Sequence, residues 1–216
     1  MKKIILSALV AMVLVACQNE YDKMSEYEKM VHDVGVSSKI SAEDALKNVP
    51  LWKVAMLIES SKPDGQGKTD TSYYEGEYRT YGAYGYWFSF NTKLRMYVSY
   101  PLFGVVNLTH RGYYVDYEYS LEDNNSINVH TDSDIELYRQ GIYVSNDIDK
   151  AKLVAYNEKC IIIETYTSFN KQYPYATYLL KPATPENVKF VEENTNNIDQ
   201  FYIDNKHVFD EIAGRE

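Results

Sequence analysis

Cysteine is scarce in this sequence, and the motifs common to metal-dependent and nucleophilic enzymes are missing. Its two cysteines, Cys17 and Cys160, could form at most one disulfide bond, so a disulfide-rich scaffold is excluded. There is no HExxH, CxxC or Gly-x-Ser-x-Gly motif, and no two of the four histidines have the spacing of a metal-binding pair. The sequence therefore predicts no catalytic residue, no metal site and no bound cofactor.

Positive charge is also in deficit. There are 22 lysines and arginines against 31 aspartates and glutamates, which gives a formal net charge of −9. A nucleic-acid-binding protein needs clustered positive charge to replace the counterions of phosphates, so that class is excluded. Hydrophobic residues make up 45% of the 216 residues and charged residues 25%, which is typical of a folded protein. We expect one domain with short appendages.

The first 17 residues have the layout of a secretory signal. Lys2 and Lys3 are followed by an uncharged stretch from Ile4 to Ala16. As a helix this stretch would extend about 20 Å, too short for a hydrocarbon core of about 30 Å. We therefore predict a signal peptide over residues 1–17 rather than a membrane-spanning helix.

The end of this leader resembles the lipobox of bacterial lipoproteins. Leu14-Val15-Ala16-Cys17 carries the resemblance, which implies that Cys17 is the site of lipid attachment. Gln18 follows the cysteine in place of aspartate, and by the same resemblance this implies anchoring in the outer membrane. The acidic residues just after it resemble an export signal for the cell surface. With Cys17 lipidated, Cys160 has no partner and is predicted to be a small buried hydrophobic residue.

Helical segments are predicted on both sides of the central region. Residues 18–50 are interpreted as a tether with two short helices, beginning at Ser25, which has capping-box spacing, and at Ser41. Helices this short need a body to pack on. Residues 183–216 are predicted to form a helical C-terminal segment, with Thr184 as its N-cap.

The central region, residues 51–182, has the period-two pattern of β-strands. In its first segment, Trp52, Val54, Met56 and Ile58 are predicted to lie on one side. Connections are local and contain no long helix, which predicts an antiparallel meander closing into a barrel, with a β-sandwich as the alternative. The nine predicted strands cover residues 51–59, 73–81, 84–90, 94–100, 113–119, 127–130, 152–156, 159–167 and 175–181.

Tyrosine is unusually abundant, with 22 tyrosines against 7 phenylalanines and 2 tryptophans. Tyrosine packs its ring and keeps a hydroxyl that needs a partner, so a tyrosine-rich sheet can line a site for an amphipathic molecule or stack on a sugar. Trp52, Tyr86, Phe88 and Tyr117 are the predicted inward-facing, ligand-binding set. They could equally be a solid core, because a small barrel can be filled by its own side chains.

Two pairs of acids have the spacing of residues on one face of a strand: Glu75 with Glu77, and Asp116 with Glu118. Paired carboxylates could serve glycoside hydrolysis. Polar positions on the outside of a barrel give the same spacing, and this second interpretation is favoured.

The layout of residues 41–182 resembles the lipocalin-like lipoproteins of the Bacteroidetes. The resemblance is carried by Leu51-Trp52-Lys53-Val54, by Gly85 to Phe90 before a turn, and by Tyr113 to Tyr119; the last 34 residues depart from it. It implies a non-enzymatic protein, anchored by lipid to the envelope, that binds a small amphipathic molecule or a glycan. A structural or assembly component that binds another envelope protein is the alternative, and a hydrolase is a third hypothesis.

Overall fold

In a computed structural model, residues 20–74, 85–99, 112–130, 148–168 and 170–212 are described, with backbone alone for 208–212. The predicted signal peptide, Cys17 and the Glu75–Glu77 pair lie outside these residues, as does most of the strand predicted over residues 73–81. The elements in chain order are α1 (Glu26–Val34), α2 (Ala42–Lys47), β1 (Trp52–Lys62), β2 (Gln66–Tyr73), β3 (Gly85–Phe90), β4 (Leu94–Ser99), β5 (Gly112–Leu121), β6 (Ser126–His130), β7 (Lys150–Tyr156), β8 (Ile161–Tyr166), β9 (Tyr175–Pro182), α3 (Pro185–Asn194), β10 (Thr195–Asn197) and α4 (Ile198–Ile212).

Eight antiparallel strands close into a barrel. The order around the ring is β1, β3, β4, β5, β6, β7, β8 and β9, and β9 pairs back with β1. This closing pair confirms the predicted barrel and excludes the sandwich. Strand β2 lies on the same edge of β1 as β3, since Tyr73 is opposite Met56 and Trp87 is opposite Lys53. Strands β2 and β3 therefore pair with different parts of the same edge of β1. With β2 left aside, each strand of the ring pairs with the next one along the chain, which is a meander.

Strand β2 differs from the sequence prediction, in which the strand after residues 51–59 begins at Tyr73. The observed β2 begins at Gln66 and ends at Tyr73. Residues 66–70 are all exposed and β2 lacks an apolar face, so hydrophobic periodicity gives no signal for it. Backbone pairing with β1 holds the strand in place.

A β-bulge at Ala55 changes which side chains of β1 point into the barrel. Ala55 is an extra residue between two that pair with adjacent positions of β9. Trp52 and Val54 therefore join the interior of the barrel, whereas Met56 and Ile58 join a cluster on its outer face. The prediction that all four lie on one side is wrong for Met56 and Ile58, because one inserted residue moves every later side chain to the other face.

Helix α1 covers the outer face that this bulge creates. Its N-cap is the predicted capping box: Glu28 N–H donates to Ser25 Oγ (3.2 Å), and Ser25 N–H donates to Glu28 Oε2 (2.7 Å). The buried residues Met30 and Val34 pack on the outer side of the barrel. Asn157 Nδ2 fixes the other end of the helix by donating to the carbonyl of Val34 (2.9 Å). The tether helices are therefore docked on the barrel.

Helix α2 packs against the end of the barrel where the turns at 91–93 and 157–160 lie, called here the α2 end. Ser41 is the observed N-cap, and its Oγ accepts a hydrogen bond from Asp44 N–H (3.0 Å). Ala45 and Leu46 are fully buried and belong to the same cluster as the interior side chains. The opposite end, with the turns at 63–65 and 167–174, is called the far end.

The C-terminal segment wraps the outside and then returns to the core. Helix α3 starts with the predicted N-cap Thr184 and buries Val191 against Trp87. Strand β10 pairs in parallel with the start of β5, within the segment that was predicted to be helical. Helix α4 then places Phe201 against Tyr113, with ring centroids 5.5 Å apart.

Candidate functional site

Among the described residues, strands β6 and β7 form one of the two shortest junctions of the barrel wall, the other being that of β1 with β3. They pair at two positions, Ser126 opposite Lys152 and Ile127 opposite Ala151. By comparison, β5 pairs with β6 at four positions, and β7 with β8 at six. The described part of the wall has a space beside this short junction.

A cavity of about 680 Å³ lies at this junction and is called here the β6–β7 cavity. Its volume falls within the range of about 300–1,000 Å³ that is usual for sites of small ligands. Its lining comes from β6, β7, β8 and the segments next to them: Glu122, Ser126, Ile127, Asn128, Val129, Asp149, Lys150, Ala151, Lys152, Glu164, Thr165, Tyr166 and Tyr175.

The lining combines side chains from both faces of the wall. Ile127 and Ala151 are buried, belong to the interior cluster and give the cavity an apolar floor. Lys152 and Glu164 are opposite each other in register on the outer face and give it a charged side. The cavity can therefore hold a molecule with one apolar part and one polar part.

Two tyrosines on the rim of the β6–β7 cavity are in contact with each other. Tyr166 and Tyr175 are opposite each other in register, half-buried, with ring centroids 5.2 Å apart and planes at 53°. Lys150 is opposite Tyr166 on the neighbouring strand. The row Lys150, Tyr166, Tyr175 offers aromatic surface next to a cation, a combination suited to a ring-shaped ligand with polar substituents.

Glu164 is the buried ionisable group of the lining, with 7% of its surface exposed. Its Oε2 accepts hydrogen bonds from the backbone N–H of Asp64 (2.7 Å) and from Thr177 Oγ1 (3.4 Å). Burial raises the pKa of Glu164 above its ordinary value, and the nearby Asp64 carboxylate adds to this, whereas the Asp64 N–H and the Lys152 ammonium oppose it. Perturbed carboxyls of this kind are typical of functional sites, although structural networks produce them too.

The four residues predicted to bind a ligand lie together in the interior. Trp52, Tyr86, Phe88 and Tyr117 are at most 5% exposed and belong to one core cluster. Tyr178 joins two of them, with its ring centroid 5.1 Å from that of Phe88 and 6.4 Å from that of Tyr86. None of the four lines the β6–β7 cavity, and their role as ligand contacts stays a prediction.

The remaining candidate groups make structural contacts. Asp116 accepts two hydrogen bonds from Arg95, at 2.5 and 2.8 Å, and Glu118 pairs with Lys93 at 2.9 Å, both on the outer face as favoured above. Cys160 is half-buried beside α1, and burial raises the pKa of its thiol. Within the described ranges, no three histidine, cysteine, aspartate or glutamate side chains are grouped so as to hold a metal ion.

Sequence reasoning did not identify the residues that line the cavity. One signal was present: Glu164 directly follows the apolar run Ile161–Ile163, and an acid next to a buried apolar run needs a polar partner. The partner could not be predicted, because Lys152 and Asp64 are distant in sequence and are brought together by the register of the barrel.

Comparisons with known proteins do not assign the chain to a family. No protein-family model matches it, and no curated protein sequence is significantly similar to it. Among the described residues, none of the helices has the length and apolar character needed to cross a membrane.

Proposed function

We propose that this protein is a lipid-anchored barrel of the bacterial cell envelope that binds a small amphipathic molecule or a glycan. The observation that carries the proposal is the β6–β7 cavity, in which an apolar floor meets a rim of tyrosines and charged groups. Ile127 and Ala151 offer an apolar surface, while Tyr166 and Tyr175 offer ring faces and hydroxyls. A ligand with both characters satisfies both parts of the lining.

The proposal is for binding rather than catalysis. The lining residues that the structure describes include neither histidine nor cysteine, and their carboxylates accept hydrogen bonds from groups of the protein itself. Asp149 Oδ2 accepts from the backbone N–H of Ser168 (2.6 Å), and Glu122 Oε1 accepts from Asn128 Nδ2 (2.6 Å). These contacts suit groups that shape a site and hold a ligand in one orientation.

The anchor is proposed from the leader. The resemblance of Leu14–Cys17 to a lipobox, followed by Gln18, supports attachment to the outer membrane. Two or more acyl chains anchor a protein stably, whereas one is marginal. Cys17→Ala is expected to abolish labelling by an alkyne fatty acid and to move the protein to the soluble fraction. Persistence in the membrane fraction without label would contradict the proposal.

The ligand site is tested with a small amphipathic probe, 1-anilinonaphthalene-8-sulfonate. Ser126→Trp places a large side chain in the cavity, and Thr69→Trp places the same side chain at an exposed strand position outside it. We expect saturable probe binding to the wild type, about tenfold weaker binding to Ser126→Trp, and unchanged binding to Thr69→Trp. Equal binding to all three would contradict a site in the β6–β7 cavity.

The alternative, a component that binds another envelope protein, has less support. Within the described part of the chain, the exposed large hydrophobic side chains are Val36, Tyr73 and Ile203. They lie on three separate segments: the stretch after α1, strand β2 and helix α4. A few exposed hydrophobic side chains are normal on a protein surface, whereas an interface would present a continuous patch.

A further inference from the structure

Helix α1 is docked through residues that also line, or contact, the β6–β7 cavity. Tyr27, in the first turn of α1, donates from its hydroxyl to Asp64 Oδ1 (3.2 Å). Asp64 is 3.6 Å from the ammonium of Lys152, and its backbone N–H donates to Glu164 (2.7 Å). Lys152 and Glu164 belong to the lining of the cavity, so one short chain of polar contacts joins the helix to the site.

Tyr27 packs tightly against the β1–β2 turn. Its ring lies directly on Gly65, at the β1–β2 turn, where an added Cβ would be 2.6 Å from the Cβ of Tyr27. Gly65 has φ +62°, a conformation that side chains other than glycine rarely adopt. A displacement of residues 63–65 therefore displaces the surface on which Tyr27 rests.

The Lys152 ammonium reduces the repulsion between the carboxylates of Asp64 and Glu164 at this turn. Glu164 and Asp64 would repel each other, and the Lys152 ammonium favours the ionised form of Glu164, whose pKa is raised by burial. Lys152 is about half exposed, at 51% of its side-chain surface, so a ligand in the cavity can reach it. A negative group on a ligand would compete with Asp64 for this ammonium.

We infer that occupancy of the β6–β7 cavity is coupled to the docking of α1, and that an anionic group on the ligand loosens the helix by drawing Lys152 away from Asp64. The inference rests on the proposed function, whose ligand site it uses. Ligand binding in the cavity would then change the docking of α1, which lies between the barrel and the predicted lipid anchor. Thermodynamic reciprocity requires the converse as well: loosening α1 must strengthen binding of the anionic ligand by the same factor.

The test measures hydrogen exchange of the α1 amides, residues 26–34, in the full chain with two related probes. 1-Anilinonaphthalene-8-sulfonate is anionic, and N-phenyl-1-naphthylamine is its neutral counterpart. We expect the anionic probe to speed exchange in α1 by about two- to fivefold, which corresponds to the loss of one partly exposed ion pair, and the neutral probe to leave it unchanged. When both probes bind, equal effects of the two on α1, or no effect of either, would overturn the inference.

Two matched variants test the link between Lys152 and α1, both without a probe and with the anionic probe. Lys152→Met removes the contact with Asp64, whereas Lys150→Met removes a second lysine of the lining that has no contact with α1 or Asp64 among the described residues. Lys152→Met alone should speed exchange in α1 and remove the effect of the anionic probe. Equal exchange in the two variants would overturn the coupling.

The outcomes separate the inference from the proposed function. If the anionic probe binds in the cavity, as shown by its loss in Ser126→Trp, but leaves α1 exchange unchanged, the coupling is wrong and the binding function stands. If neither probe binds, the binding function loses its support, and the comparison of Lys152→Met with Lys150→Met still decides the coupling.

Discussion

The indole N–H of Trp52 donates a 2.8 Å hydrogen bond to the carbonyl oxygen of Leu46, which joins the interior of the barrel to helix α2. Both residues are fully buried. Trp52→Phe keeps a large apolar ring but leaves the carbonyl without this donor and opens a small void. We expect the free energy of unfolding to fall by about 2–4 kcal/mol in urea denaturation.

Trp87 provides the control for this prediction. It is 1% exposed, and its indole nitrogen has no hydrogen-bond partner among the described residues. Trp87→Phe loses the same volume without losing such a bond. The loss for Trp52→Phe should exceed the loss for Trp87→Phe by about 1–2 kcal/mol, and equal losses would show that the bond to Leu46 contributes nothing.

The contact between Tyr27 and Gly65 predicts a strong coupling of two substitutions. Gly65→Ala should destabilise the protein by about 2–3 kcal/mol, since the new Cβ meets the Tyr27 side chain and the backbone has φ +62°. In a double-mutant cycle, Tyr27→Ala should relieve about 1 kcal/mol of that loss by removing the steric conflict. Additive losses in the cycle would show that the two residues do not interact.

The pair Glu59 and Asp70 predicts a pH-dependent effect. The two carboxylates are opposite each other in register, and burial, then Asp70, raises the pKa of Glu59 above its ordinary value. The ionised form of Glu59 therefore costs stability above its folded-state pKa, and that cost vanishes as the pH falls below the unfolded-state value. Glu59→Gln should raise the thermal midpoint at about pH 8, and the gain should disappear by about pH 3.

The exposed acid Asp123 supplies the comparison for this prediction, since Asp123→Asn changes the net charge by the same amount. A general effect of reducing the net charge would raise the thermal midpoint equally in both variants at about pH 8. That result would contradict a specific cost at Glu59.

Much of the fold was readable from the sequence because it follows from local chemistry. Ser25 and Thr184 cap their helices as their side chains dictate. Alternation in β3 and β5 placed Phe88 and Tyr117 inside the barrel. The closing pair of β1 with β9 followed from the absence of crossover helices and from the need to satisfy sheet edges.

Other features could not be predicted because they depend on contacts between distant parts of the chain. The bulge at Ala55 is set by pairing with β9, and no residue of β1 signals it. Strand β10 consists of Thr195–Asn197, whose composition is that of a turn, and it is a strand because β5 offers an edge there. The cavity arises for the same reason: its rim residues Tyr166 and Tyr175 meet through register alone.

The central claim is that a small amphipathic ligand binds in the β6–β7 cavity, and an NMR titration of the labelled protein tests it most directly. With 1-anilinonaphthalene-8-sulfonate, we predict saturable amide shift changes concentrated at residues 126–129, 149–152 and 164–166, with little change at Trp52 and Phe88. Changes confined to Trp52, Tyr86, Phe88 and Tyr117, or no saturable change at all, would contradict the account.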